Sequence, residues 1–86
     1  MAIPDYQSLM LPLLDFAADG REHPLREARG TLASRLGLST YERAELLPSG
    51  RQPVFNNRVA WAKTFLQQAG LLSSPRRGHF QITERG

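Results

Sequence analysis

Val54 to Ala69 is the longest stretch of the chain free of both proline and glycine, and it is bounded by Pro53 and Gly70. At about 100° per residue, Phe55, Val59, Ala62, Phe65, Leu66 and Ala69 fall within one stripe of roughly 120°, wide enough to face a core. A helix over 54–69 is therefore expected, with Gly70 as its stop. Directly after it come Leu71-Leu72-Ser73-Ser74, the turn residues Pro75-Arg76-Arg77-Gly78, and the alternating His79-Phe80-Gln81-Ile82-Thr83. This pattern predicts a β-hairpin, with Gly78 supplying the positive φ that its turn requires. A long amphipathic helix followed at once by a hairpin leaves few arrangements open to a chain of 86 residues.

The preceding segments supply the remaining core. Tyr6, Leu9, Met10, Leu13, Leu14 and Ala17 recur at helical spacing between Pro4-Asp5 and Asp19-Gly20, and Pro12 is expected to kink or split that helix. Arg21 to Pro24 has room for no more than a small strand. Leu25, Ala28, Leu32 and Leu36 mark one face of a second helix ended by Gly37. Ser39-Thr40-Tyr41-Glu42 is a capping box, predicting a short helix from Thr40 to about Leu47, with Arg51-Gln52-Pro53 as an extended link. The expected fold class is mainly α with a small β-hairpin, in a single domain.

Charge divides unevenly along this plan. Residues 1–50 carry five arginines against seven carboxylates, a net −2, whereas residues 51–86 carry six cations against Glu84 alone, a net +5. The side of helix 54–69 opposite its apolar stripe bears Asn56, Asn57, Ala60, Lys63, Thr64 and Gln67, with no carboxylate from Gln52 to Ser74. Asn and Gln amides pair bidentately with adenine, threonine methyls meet thymine methyls, and alanine lets a backbone approach base edges. That face suits the major groove of duplex DNA. Arg76 and Arg77 on the hairpin tip, and Arg51 before the helix, suit phosphates, with His79 a weaker phosphate contact. Arg58 falls on the core side of its helix and Arg85 near the chain end, so about four of the six cations are expected contacts. Trp61 sits at the edge of the apolar stripe and reads as packing against the first helix, with a contact role open.

Chemistry is not visible. His23 and His79 are the only histidines and neither stands at ligand spacing from a partner, so no metal site is expected in this chain. No glycine-rich phosphate loop occurs. Pro4-Asp5 might suggest a PD…(D/E)xK nuclease, but the sole lysine, Lys63, has Trp61 two residues before it and the pattern fails. The chain alone is not read as an enzyme, and no cofactor is expected. No signal peptide or apolar anchor is visible and cysteine is absent, which points to a cytoplasmic protein without membrane contact.

Helices followed by a long helix and a basic hairpin describe a winged helix, a helix-turn-helix variant. The segments Ile3-Pro4-Asp5-Tyr6 with Leu11-Pro12-Leu13-Leu14, Leu46-Leu47-Pro48-Ser49-Gly50-Arg51-Gln52-Pro53, Asn57-Arg58-Val59-Ala60-Trp61-Ala62, Ala69-Gly70-Leu71-Leu72, and Pro75-Arg76-Arg77-Gly78 with Ile82-Thr83-Glu84-Arg85-Gly86 carry a closer likeness. They resemble the N-terminal domain of Mrr-type restriction endonucleases over nearly the whole chain. The resemblance implies a winged-helix module for double-stranded DNA, with helix 54–69 in the major groove and the wing, residues 74–80, on the backbone. It also implies a following C-terminal nuclease domain that cuts DNA, often modified DNA, with a divalent metal held there and not here. Two other uses of such a surface stay open at this point: a protein interaction or homo-oligomerisation module using the basic face, and the DNA-binding domain of a transcription regulator.

Overall fold

The computed structural model describes residues 3–84, so the expectation placed on Arg85 lies outside the described residues. Asp5 starts α1 (Tyr6–Phe16) by accepting the Ser8 amide at 2.8 Å. One helix runs through Pro12; the proline deletes a donor without splitting it, because Leu9 and Leu13 on either side are fully buried. A 3-10 turn, Ala17–Asp19, follows. The short β1 (His23–Pro24) leads into α2 (Leu25–Arg35), and Ser39 and Glu42 complete the expected capping box at α3 (Thr40–Ala44). Then come α4 (Val54–Gln68), β2 (Leu72–Ser73) and β3 (His79–Ile82).

The α3 helix ends three residues before the expected Leu47. Leu46 instead forms an antiparallel bridge with Pro53, and the Val54 amide donates to the Glu45 carbonyl at 2.7 Å while the Leu47 amide donates to that of Gln52 at 3.0 Å. Pro48, Ser49, Gly50 and Arg51 therefore form the exposed end of a tight loop, not an extended link. These pairings satisfy backbone groups that a longer helix would have satisfied internally.

α4 ends in a Schellman motif: Leu71 N–H reaches Leu66 O at 2.9 Å, Gly70 N–H reaches Gln67 O at 3.1 Å, and Gly70 takes φ of 80°. The reversal feeds β2 straight into the hairpin. β3 is central, pairing antiparallel with β2 (Leu72 opposite Ile82) and β1 (His23 opposite Phe80), giving the order β1-β3-β2. The molecule is mainly helical with a small three-stranded antiparallel sheet, an arrangement compatible with a winged helix.

The core lies where α1, α2 and α4 meet the inner face of this sheet. Phe55, Phe80, Leu9, Leu13, Leu32, Leu66 and Val59 are its largest fully buried side chains. Three apolar positions expected in it lie outside: Leu36 and Phe65 are 40% and 39% exposed, and Ala69, the α4 C-cap, is exposed as well. Phe65 instead stacks on Tyr6, with centroids 4.8 Å apart. Trp61 is half exposed and its ring lies beside that of Phe65, at the rim of the aromatic cluster that Tyr6 of α1 completes.

Arg58 turns to the core side as expected and donates from Nη1 to the carbonyls of Ile3 (2.7 Å) and Pro4 (3.3 Å), anchoring the N-terminal segment. Charged hydrogen bonds of this kind contribute about 1.5–3 kcal/mol. Arg58→Ala should lower the free energy of unfolding by about 2 kcal/mol in urea titrations, whereas Arg58→Lys, with a more strongly hydrated ammonium on a flexible stem, should recover only part of the loss.

His23 braces the other end. Its Nε2 lies 3.0 Å from Asp19 and its Nδ1 2.9 Å from Glu27, so one ring joins the 3-10 turn after α1 to the start of α2. The hydrogen bond to Asp19, with help from Glu27, raises its pKa above the ordinary value of 6.5. With the folded pKa above the unfolded one, the protonated ring contributes stability that is complete below the unfolded value and is lost as pH rises through the folded value. Thermal melts should therefore show a midpoint that falls on going from about pH 6 to about pH 8. His23→Gln should flatten that decline.

Candidate nucleic-acid interface

Burial of Phe55, Val59, Ala62 and Leu66 fixes the rotation of α4 and with it the opposite face. By helical angle, Asn57, Ala60 and Thr64 point most directly away from the core, with Gln67 and Gln68 beside them and Asn56 and Lys63 on the flank toward α3. The two glutamines are exposed and the others are half-exposed. The Thr64 hydroxyl donates to the Ala60 carbonyl at 3.0 Å, which commits the hydroxyl to the helix and leaves the methyl as its free contact group. Gln68 was not among the residues singled out from sequence, although it shares this face. Trp61 borders it on the other side, 50% exposed.

The turn between β2 and β3 is closed by Gly78, whose φ is 77°, and by Ser74 Oγ, 3.1 and 3.0 Å from the carbonyls of Arg76 and His79. Its tip is not independent of the helices: Leu25 N–H donates to Gly78 O at 2.8 Å, tying the turn to the start of α2. The two tip arginines differ. Arg76 Nε donates to Glu22, although its side chain stays 69% exposed. Arg77 is exposed and has no ion pair among the described residues. His79 alternates with the buried Phe80 and is partly covered, with Nδ1 3.1 Å from the Arg77 carbonyl and Nε2 4.0 Å from Glu22. Arg51 is exposed on the loop before α4 and likewise has no ion pair there.

The acidic first half is largely committed elsewhere. Asp5 and Glu42 cap helices, and the amide bonds they accept, from Ser8 and Ser39 respectively, hold their pKa values below the ordinary carboxylate range. Asp19 is lowered first by the Arg21 amide and then by His23. Asp15 meets Arg35 at 3.5 Å. What remains of that half includes Arg26, Arg29 and Arg43, none in an ion pair among the described residues. Arg29 is lowered from its usual pKa by burial and then by the charges of Arg43 and Arg26, which places both of these near Arg29. Sequence reading missed them because the net charge of residues 1–50 is negative; the i,i+3 spacing of Arg26 and Arg29 was the available signal.

No group of His, Cys, Asp and Glu among the described residues could hold a metal ion, and no described helix is long and apolar enough to cross a membrane. The surface around α4 and the wing offers amides, methyls, an indole and cations.

A helix-and-hairpin fold with such a surface defines a class, and the comparisons narrow it. The chain belongs to the Mrr N-terminal domain family, whose profile matches residues 6–86. It is 36% identical over 87 aligned positions to a type IV methyl-directed restriction enzyme, EcoKMrr, of Escherichia coli strain K12; the alignment covers all of this chain and 28% of that enzyme. The chain thus spans under a third of the length of the curated relative it matches. No solved structure matches it significantly.

Proposed function

We propose that this chain is a single winged-helix domain, residues 1–86, that binds duplex DNA and directs a separate, metal-dependent nuclease domain of an Mrr-type restriction endonuclease to it. The observation that carries the reading is the outward face of α4, where Asn56, Asn57, Ala60, Lys63, Thr64 and Gln67 stand without a carboxylate. A helix face that merely meets water ordinarily mixes acids with bases. Entry of this face into the major groove puts amides and the Thr64 methyl against base edges, while Arg51 and Arg77 neutralise phosphates; His79 and Arg76 act from the wing beside them. The relative's methyl-directed activity supports methylated DNA as the target class.

The test is fluorescence anisotropy with unmodified and methylated duplexes over a range of salt. Binding should weaken steeply with salt, and Arg77→Ala should reduce the slope of log K on log salt by about one unit. Arg76→Ala should reduce it less, since Glu22 already neutralises that guanidinium in part. Absence of duplex binding at low salt, combined with a tight oligomer formed through the basic face, would favour a protein interaction module instead.

A further inference from the structure

We infer that Arg26, Arg29 and Arg43 form a second phosphate-binding site, built across α2 and α3 from the acidic half of the chain, that grips the DNA backbone between α4 and the wing. The inference rests on the duplex-binding reading above and extends it to residues outside the helix and hairpin.

Three observations carry it. First, the cations are adjacent to both parts of the proposed interface. Arg26 and Arg29 line a surface hollow together with Pro24, Leu25, Gly78 and His79, which joins them to the wing. Arg43 lines a second hollow with Thr40, Ala44, Pro53 and Asn56, which joins it to the start of α4. Second, the three have no compensating carboxylate: among the described residues their ion pairs are absent, although Glu27 lies next to Arg26 in sequence and is bound to His23 instead. Third, the charges of Arg43 and Arg26 both act on Arg29, which is itself half-buried. Clustered like charges repel, and an anion bound among them would offset that repulsion. Arginine guanidiniums held in such a row match phosphate oxygens in geometry and charge. One hollow reaches Asn56 of α4 through Arg43, and the other reaches Gly78 of the wing through Arg26 and Arg29. Cations shared between two hollows suit a polyanionic backbone better than one isolated phosphate.

The closing experiment compares salt slopes of duplex binding for the unaltered chain, for Arg26→Gln/Arg29→Gln/Arg43→Gln, and for Arg35→Gln, a single-charge control at an arginine already paired with Asp15. Each phosphate contact contributes about 0.9 to the slope, so the triple variant should lose about two to three units and Arg35→Gln none. Without DNA, the melting midpoint of the unaltered chain should rise with salt more steeply than that of the triple variant, because salt screens a repulsion that the variant lacks. Duplex binding with an unchanged slope in the triple variant would overturn the inference and leave the α4 reading standing. A slope that falls per charge as much in Arg35→Gln would also overturn it, by showing an effect of net charge alone. Failure of the unaltered chain to bind duplex at low salt would remove both.

Discussion

Phe55→Ala should bring the chain to the edge of unfolding. Phe55 is fully buried at the first turn of α4, in the cluster where α1 and α4 pack together. Truncating a buried phenylalanine removes about 3–5 kcal/mol through lost transfer energy and the cavity left behind. A chain of this size has roughly 4–13 kcal/mol in total. Urea unfolding followed by circular dichroism should therefore show either a large drop in midpoint or no folded baseline. Phe65→Ala is the informative contrast: the two phenylalanines belong to the same expected stripe, yet Phe65 is 39% exposed and its main partner is the Tyr6 ring. Its loss should cost about 1–2 kcal/mol, the scale of a stacked aromatic pair with partial burial. Equal losses at the two positions would show that α4 is rotated from the orientation described, and its outward face with it.

Thr64→Glu should abolish most duplex binding while leaving the fold intact. Thr64 lies near the centre of the carboxylate-free face, and its one hydrogen bond is local, to the carbonyl one turn back. Glutamate is a better helix former than threonine, so the helix should tolerate it. A carboxylate pressed against phosphates or base acceptors costs about 2–3 kcal/mol, roughly a 30- to 150-fold loss of affinity. Gln7→Glu changes net charge equally at an exposed position in the first turn of α1, on a different element from the carboxylate-free face, and should leave binding within about threefold. Similar losses in both variants would reduce the effect to overall charge.

The elements of this fold were legible where their causes are local. The Gly70 stop, the Ser39–Glu42 capping box and the Gly78 turn are each decided within about six residues, and each forms as expected. The misses are non-local. α3 stops at Ala44 because Leu46 finds Pro53 across a loop, a pairing that helical propensity does not encode. Arg76 is engaged by Glu22, 54 residues earlier, brought near only once β1 joins β3. The apolar stripe of α4 was right in direction but too wide, since Phe65 and Leu66 are neighbours in sequence and only packing against α1 decides which one is covered. The arginine trio escaped for a related reason. A running charge balance cancels Arg26, Arg29 and Arg43 against acids that the fold assigns to caps, to His23 and to Arg35.

The interface reading also separates two kinds of surface on the molecule. A shallow apolar groove of about 690 Å³, lined in part by Leu11, Leu14, Leu32, Leu36 and Ile82, lies between α1, α2 and the end of β3. It carries Arg35 and Asp15 already paired with each other, and offers no unpaired cation for a phosphate.

That contrast makes an amide-resolved NMR titration the most direct test of where duplex DNA binds. On addition of a short duplex at low salt, shifts should concentrate at Asn57, Ala60, Thr64, Gln67 and Gln68 of α4, at Arg26, Arg29 and Arg43, and at Arg77 and Gly78 of the wing. Amides around Leu11, Leu36 and Ile82 should stay in place. Shifts confined to that apolar groove, or none at all at α4, would contradict the account.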